Sequence, residues 1–343
     1  MAADIAEQPS GYARLLEPAH VTEIARVAAV IADRRPRHLV LTARGTSDHA
    51  ALYASYLAEI RLSLPAGLAS PSAVTLFGAQ PDLSGALVIA VSQSGGSADL
   101  VEVVRAARAS GALTLAVTNA PDSALAGTAE LAIDIAAGHE RAVAATKTYT
   151  AELLALLMLV EGVRAGSGRL PEAELRALAA LPELAERTLA DPAATELAPR
   201  YRFATQLVTT GRGYAYPTAR ESALKLMETS YLPALAFSGA DLLHGPLAMT
   251  DPDVPVLAVV GSGPGGAAMR EVLPRLAERG ADVVTVGAAE VPGAARIAVP
   301  DTDERYAPLL DVLPLQRLAL TLALARGEDP DAPRGLKKVT TTR

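Results

Sequence analysis

Ser92-Gln93-Ser94-Gly95-Gly96-Ser97 places three hydroxyls, a carboxamide and two glycines directly after the apolar run 87–91. An amphipathic stretch, 98–109, follows. The spacing predicts a buried strand, a tight polar turn and a helix start. Such a turn offers free backbone N–H groups, hydroxyl donors and the positive end of a helix dipole to an anion. It lacks the lysine of a P-loop and the spacing of a dinucleotide fingerprint. A small monophosphate therefore suits it better than a nucleotide. The same residues also read as a plain strand-to-helix turn with serine as N-cap.

Acid–base groups lie further along. Glu221, Lys225 and Glu228 fall at i, i+4 and i+7, one face of a helix. For Glu221 and Lys225 that pattern reads as a solvated ion-pair face. Glu228 ends the pattern beside Tyr231-Leu232, where partial burial suits a general base. His244 precedes Gly245-Pro246, so it is expected at a helix C-terminus or in a rigid loop, and imidazole changes charge near neutral pH. The basic stretch Arg334-Gly335-Leu336-Lys337-Lys338-Val339-Thr340 follows Pro330 and Pro333. It reads as a fixed extended segment able to fold back over a site.

These residues need a scaffold, and the chain supplies a repeating one. Short apolar runs at 38–43, 86–91, 113–118 and 131–135 alternate with helix-like stretches at 47–61, 98–109 and 122–126. Later strands are expected at 206–210, 256–260, 282–286 and 295–299, and later helices at 217–227, 266–279 and 313–325. That alternation predicts an α/β fold of parallel sheets flanked by helices. Leu39-Val40-Leu41-Thr42-Ala43-Arg44-Gly45 lines up with Leu207-Val208-Thr209-Thr210-Gly211-Arg212-Gly213, 168 positions on. At the same offset Val88-Ile89-Ala90-Val91 meets Val256-Leu257-Ala258-Val259, and Ser94-Gly95 meets Ser262-Gly263. One offset matching two successive strand–turn units predicts an internal duplication. The expected organisation is a first lobe over 22–165, a second over 192–330 and a tail over 331–343, with 166–191 as a connecting helix. The copies diverge at the turn: Ser92-Gln93-Ser94 in the first becomes Val260-Gly261-Ser262 in the second. The first lobe reads as an anion holder, the second as a source of acid and base.

Composition sets bounds on all of this. A chain of 343 residues fits about two domains. Half the residues are hydrophobic but only 3% are aromatic, with no Trp, so the core must be built from Ala, Leu and Val. Thirty-one basic against 38 acidic residues argue against a nucleic-acid surface. The lack of cysteine excludes disulfides, thiolate zinc sites and cysteine nucleophiles within these residues. The five histidines are scattered, none at ligand spacing of another, so no metal is expected. The first residues carry Asp4 and Glu7 and no apolar signal-peptide core. The apolar stretch 150–163 is short and broken by Glu152 and Glu161, which predicts a buried helix and no membrane span. A cytoplasmic protein is expected.

Taken together, Ala43-Arg44-Gly45-Thr46-Ser47, Ser92-Gln93-Ser94-Gly95, Ala145-Thr146-Lys147, Glu221 to Glu228 and Leu243-His244-Gly245-Pro246-Leu247 resemble the sugar isomerase (SIS) family. The chain is similar to the isomerase half of glutamine–fructose-6-phosphate aminotransferase, from Glu7-Gln8-Pro9 to the tail. The resemblance implies two flavodoxin-like SIS lobes. It implies a sugar-phosphate clamp of Ser47, Ser92, Gln93, Ser94 and Ser97, the last usually Thr in the synthase. It also implies Glu228 as the base that moves a proton between C1 and C2, and His244 as the ring-opening residue, contributed by the partner subunit. Lys338 corresponds to a tail lysine that closes over the sugar, with Lys337 as its alternative, and Val143 to a backbone contact. Two positions depart from the synthase: Ala145 replaces a serine, and Arg44 stands where cysteine is usual. The Arg-Gly-Thr-Ser-Asp-His form is closer to stand-alone SIS deaminases.

The synthase releases ammonia in a glutaminase domain with a cysteine nucleophile. This sequence starts shortly before Glu7-Gln8-Pro9 and has no cysteine, so glutamine hydrolysis is not expected of it. The resemblance then implies an amino-sugar phosphate deaminase, converting glucosamine 6-phosphate to fructose 6-phosphate and ammonia. It implies no metal or organic cofactor, no nucleic-acid or membrane partner, and a homodimer with shared sites. Two enzymatic alternatives stay open, a fructosamine-6-phosphate deglycase and a galactosamine-6-phosphate deaminase. A non-catalytic sugar-phosphate sensor is a third.

Overall fold

The computed structural model describes residues 1–338; Val339, Thr340 and the rest of the expected tail lie outside the described residues. The chain divides into two compact units. The first lobe comprises Gln8–Glu140, Lys147–Pro182 and, among the described tail residues, Lys337 and Lys338. The second comprises Met1–Glu7, Arg141–Thr146 and Glu183–Leu336.

The first lobe is built on a five-stranded sheet of β1 (His38–Thr42), β2 (Ala66–Leu68), β3 (Ala86–Ser92), β4 (Leu113–Thr118) and β5 (Leu131–Asp134), in the order β2-β1-β3-β4-β5. Every pairing is parallel. Parallel strands are joined by helical crossovers that cover both faces, so central strands read as continuous apolar runs. All of β3 and β4 is buried accordingly. Ala90, Leu100, Val101, Val104, Ala116 and Leu125 pack together on one cluster, small aliphatic groups in place of aromatic rings.

The second lobe repeats the plan with β6 (Leu207–Gly211), β7 (Ala234–Ser238), β8 (Val256–Val259), β9 (Val283–Gly287) and β10 (Ala295–Ala298), in the order β10-β9-β8-β6-β7. The duplication extends to register. Val40 pairs with Val88, Leu41 with Ile89 and Thr42 with Ala90; 168 positions on, Val208 pairs with Val256, Thr209 with Leu257 and Thr210 with Ala258. Each lobe is thus a doubly wound α/β unit, and the expected fold class is the observed one.

Three differences from the sequence reading have local causes. The edge strands β2 and β7 were not expected. β2 is three residues long and largely exposed, and β7, although Ala234 to Phe237 are apolar, is a five-residue edge that is only partly buried. The connection 166–191 is two helices, Glu172–Ala179 and Leu181–Ala190, because Pro182 falls in the first turn of the second, where it starts a helix and cannot continue one. The helix at 313–325 begins earlier, at Ala307; Ala307–Ala325 is long and apolar enough to cross a membrane, yet 72% of its window is buried inside the protein, as befits a core helix. The apolar stretch 150–163 lies within the buried Lys147–Arg164 helix, as its composition predicts.

Gly162 shows how tightly that helix is seated. A Cβ there would lie 2.6 Å from the Gly168 carbonyl oxygen and 2.9 Å from the Ala28 Cβ. Alanine gains roughly 1 kcal/mol over glycine in a helix interior, but forcing it against backbone costs about 1–3 kcal/mol. Gly162→Ala is expected to lower the thermal midpoint in a melting experiment; a raised midpoint would show that the site has room.

Candidate functional site

In a doubly wound sheet the crevice lies at the C-terminal ends of the two strands where the order reverses. In the first lobe those strands are β1 and β3, and each runs directly into a helix. β1 leads through Gly45, the N-cap with φ of 57°, into the Thr46–Leu57 helix. β3 leads through 93–97 into the Ala98–Ala109 helix, capped by Ser97. Two sets of first-turn amides therefore open at one end of one sheet, the arrangement that favours an anion.

The turn holds its shape through its own serines. Ser92 Oγ accepts from the Gly95 amide at 3.2 Å, and Ser94 Oγ accepts from Gly96 at 3.3 Å. Gly95 has φ of 59°, and a Cβ there would fall 2.0 Å from Ser123 Oγ, so only glycine fits. The Gln93 carbonyl accepts from the Asn119 amide at 3.2 Å, which leaves its carboxamide side chain half-buried beside the turn. Ser97 caps its helix without a side-chain hydrogen bond, so its hydroxyl is not spent on the helix.

Ser47 differs from the other four clamp candidates. Its hydroxyl donates to Glu152 Oε1 at 2.8 Å, and both groups are buried. The Glu152 that interrupts the apolar stretch is thus a positioning acceptor under the β1 turn, a link the sequence reading did not draw. Arg44 was noted only as a departure; its Nε donates to Asp99 Oδ2 at 2.8 Å, and Asp99 Oδ1 accepts from the Leu100 amide. This ion pair ties the β1 turn to the first turn of the Ala98–Ala109 helix. The guanidinium is half exposed, while the carboxylate is buried.

The acid–base candidates Glu221, Lys225 and Glu228 lie on the Ala215–Ser230 helix of the second lobe. Glu221 and Lys225 were expected on a solvated face and are both fully buried. Helical spacing shows that three residues share a face but not which way the face points. Lys225 Nζ sits 2.5 Å from Glu228 Oε2 and 3.4 Å from Glu221 Oε1. Glu228 alone of the three reaches solvent, with 22% of its side chain exposed.

His244 is the C-cap of the short Gly239–Leu243 helix, as the Gly-Pro that follows it implied. It is exposed; its amide donates to the Asp241 carbonyl, and its imidazole makes no hydrogen bond or ion pair among the described residues. Pro246 opens a 3₁₀ turn over Pro246–Met249. Val143 belongs to the 141–146 segment of the second lobe, whose Arg141 and Ala142 amides are both held by the buried Asp4 carboxylate. Lys338 belongs to the first lobe; its Nζ is 3.7 Å from Glu140 Oε2, and Thr148 also binds Glu140 through its amide and hydroxyl. Lys337 is exposed. Among the described residues no cluster of three or more His, Asp or Glu side chains is disposed to hold a metal ion.

The SIS domain model matches twice, over residues 34–162 and 201–325. The chain belongs to the SIS domain family. Its SIS repeats coincide with the two parallel sheets. Over 99% of its length the chain is 35% identical to glutamine–fructose-6-phosphate aminotransferase of Pyrobaculum aerophilum, and over 87% it is 37% identical to the Thermus thermophilus protein of that name. It spans 57% and 51% of those two relatives, about half their length. A solved structure from Silicibacter pomeroyi DSS-3, provisionally assigned as a phosphosugar isomerase, superposes with a TM-score of 0.84 at 34% identity, covering 96% of this chain and 98% of that one. The C-terminal domain of the Francisella tularensis glucosamine–fructose-6-phosphate aminotransferase gives a TM-score of 0.85 at 25% identity, covering 96% of this chain and 97% of that domain.

Removing the cation from between two carboxylates, one of them fully buried, leaves charge that the interior cannot solvate, at a cost of about 3–5 kcal/mol. Lys225→Met is therefore expected to lose that much stability in urea unfolding, and adding Glu221→Gln should restore part of it. An unchanged urea midpoint for the single variant would contradict the buried pairing.

Proposed function

We propose that this SIS protein is an amino-sugar phosphate deaminase, converting glucosamine 6-phosphate and water to fructose 6-phosphate and ammonia. Ser92, Gln93, Ser94 and Ser97, with the first-turn amides of two helices, take the phosphate. Ser47 supports the clamp through its bond to Glu152. Binding energy from the phosphate, remote from the reacting carbons, holds C1 and C2 against the base. His244 of a partner subunit assists ring opening. Glu228 takes the proton from C2 and returns it to C1, which turns the 2-amino aldehyde into the 2-imine of fructose. Water adds at C2 and ammonia departs. Lys338 closes the tail over the sugar, and the Val143 backbone contacts it.

The observation that carries this reading is the Lys225–Glu228 contact: a carboxylate fixed on one side by a buried ammonium and open to solvent on the other. A base that must give its proton back needs such a fixed position and one open face. The exposed imidazole of His244, without a partner among the described residues, fits a group that completes a neighbouring subunit's site.

Ammonia release is the direct test. Glucosamine 6-phosphate, galactosamine 6-phosphate and a fructosamine 6-phosphate are offered in turn, and the first is expected to be turned over fastest. Binding of fructose 6-phosphate with no turnover of any of the three would favour a sensor. Glu228→Gln is expected to lower turnover by about 10²–10⁴-fold, the usual worth of a general base, with fructose 6-phosphate affinity nearly unchanged. Activity close to wild type would remove Glu228 from the role. Mixing Glu228→Gln with His244→Ala protein should restore activity in mixed dimers, and no recovery after verified subunit exchange would argue against a shared site.

A further inference from the structure

The second lobe has the same switch point as the first, between β6 and β8, and the same strand–turn–helix at it. β8 passes through 260–263 into the 15-residue Pro264–Glu278 helix. Here, however, the donors of the turn are taken. Glu304 Oε1 accepts from the Gly265 amide at 2.8 Å and from the Gly266 amide at 3.3 Å. Ser262, the counterpart of Ser94, donates its hydroxyl to Asp301 Oδ1 at 2.6 Å. Both acids come from the loop that follows β10.

The seat is moulded around that carboxylate. A Cβ on Gly263 would meet Glu304 Oε2 at 2.5 Å, and one on Gly265 would meet Glu304 Oε1 and the Arg212 carbonyl, each at 2.6 Å. Arg212 belongs to the turn after β6, so the glutamate lies between the two turns that define the switch point. Glu304 is half-buried, and burial pushes its carboxyl above the usual range, partly offset by the two amides. Asp311, fully buried on the Ala307–Ala325 helix, is pushed well above the carboxylate range by burial, with the Glu304 charge adding to it. Thr42 and Thr210 mark the duplication once more: they end β1 and hold the equivalent place in β6, and both hydroxyls are buried without a hydrogen-bond partner among the described residues.

We propose that the second lobe is a self-liganded copy of the anion clamp, in which the Glu304 carboxylate sits where an external anion would bind, leaving one phosphosugar site per chain. The inference rests on the proposed clamp for the identity of the anion alone. The glutamate also anchors its own loop, and so the start of the Ala307–Ala325 helix, on the crevice. One oxygen of its γ-carboxylate satisfies two amides at a helix start, and its charge faces the positive end of that helix.

Hydrogen exchange on the full chain, with inorganic phosphate as the probe, tests this. In the wild type, phosphate at about ten times its dissociation constant is expected to slow exchange over 92–101 about tenfold, while exchange over 261–267 is slow beforehand and does not change. In Glu304→Ala, 261–267 should exchange faster, and phosphate should slow it again, with bound phosphate rising from one to two equivalents per chain. The inference is overturned if phosphate slows 261–267 in the wild type, or if folded Glu304→Ala shows neither faster exchange there nor a second equivalent. The wild-type comparison decides even if the variant does not fold. Phosphate that fails to slow 92–101 would overturn the clamp and leave the Glu304 comparison to be read on its own.

Discussion

A helix that starts where a parallel strand ends leaves its first amides without acceptors in the helix. Both lobes are organised around that deficit. In each, the sheet reverses its strand order at the point where two such helix starts stand side by side. The first lobe braces the start with Ser92, Ser94 and the Arg44–Asp99 pair, and leaves the Ser97 hydroxyl unspent on its helix. The second lobe satisfies the deficit with its own glutamate. One duplicated framework thus yields an open crevice and a filled one, and the difference lies in a few side chains on loops.

The buried ammonium of Lys225 sets a second constraint. Taking a cation and two carboxylates out of water is costly, and such a group is weak evidence of stability. What it gives is direction. With Lys225 fixed among packed residues of its helix, Glu228 has one defined partner and one exposed side. A surface carboxylate free to rotate has no such fixed direction. The same economy appears under the clamp, where buried Glu152 holds Ser47 in place.

The central strands were legible in the sequence because burial on both faces writes an uninterrupted apolar run. The duplication was legible because one offset aligned both strands and turns, and the strand registers follow it. Edge strands β2 and β7 escaped notice, since β2 is only three residues long and β7 is a short apolar run, partly buried, that local composition does not set apart. The orientation of the 221–228 face also escaped, because spacing is blind to which side meets the core. The links Ser47–Glu152, Arg44–Asp99, Lys338–Glu140 and Glu304–Gly265 join residues far apart in the chain, and no local pattern marks them. The divergence between the two turns was visible in the sequence; that a carboxylate from another loop fills the second was not.

Neither lobe is one continuous length of polypeptide. The second takes in Met1–Glu7 and Arg141–Thr146, and the first takes in Lys337 and Lys338. Sheets β1 to β5 can assemble on the ribosome as their strands emerge, since domains tend to fold in order of synthesis. Asp4, buried in the finished protein, instead waits for the 141–142 amides, and the lobe that encloses it waits for everything from Glu183 on. The lacing commits the two halves of the gene to a common fate: a nascent chain halted midway carries stitches that belong to a lobe not yet made.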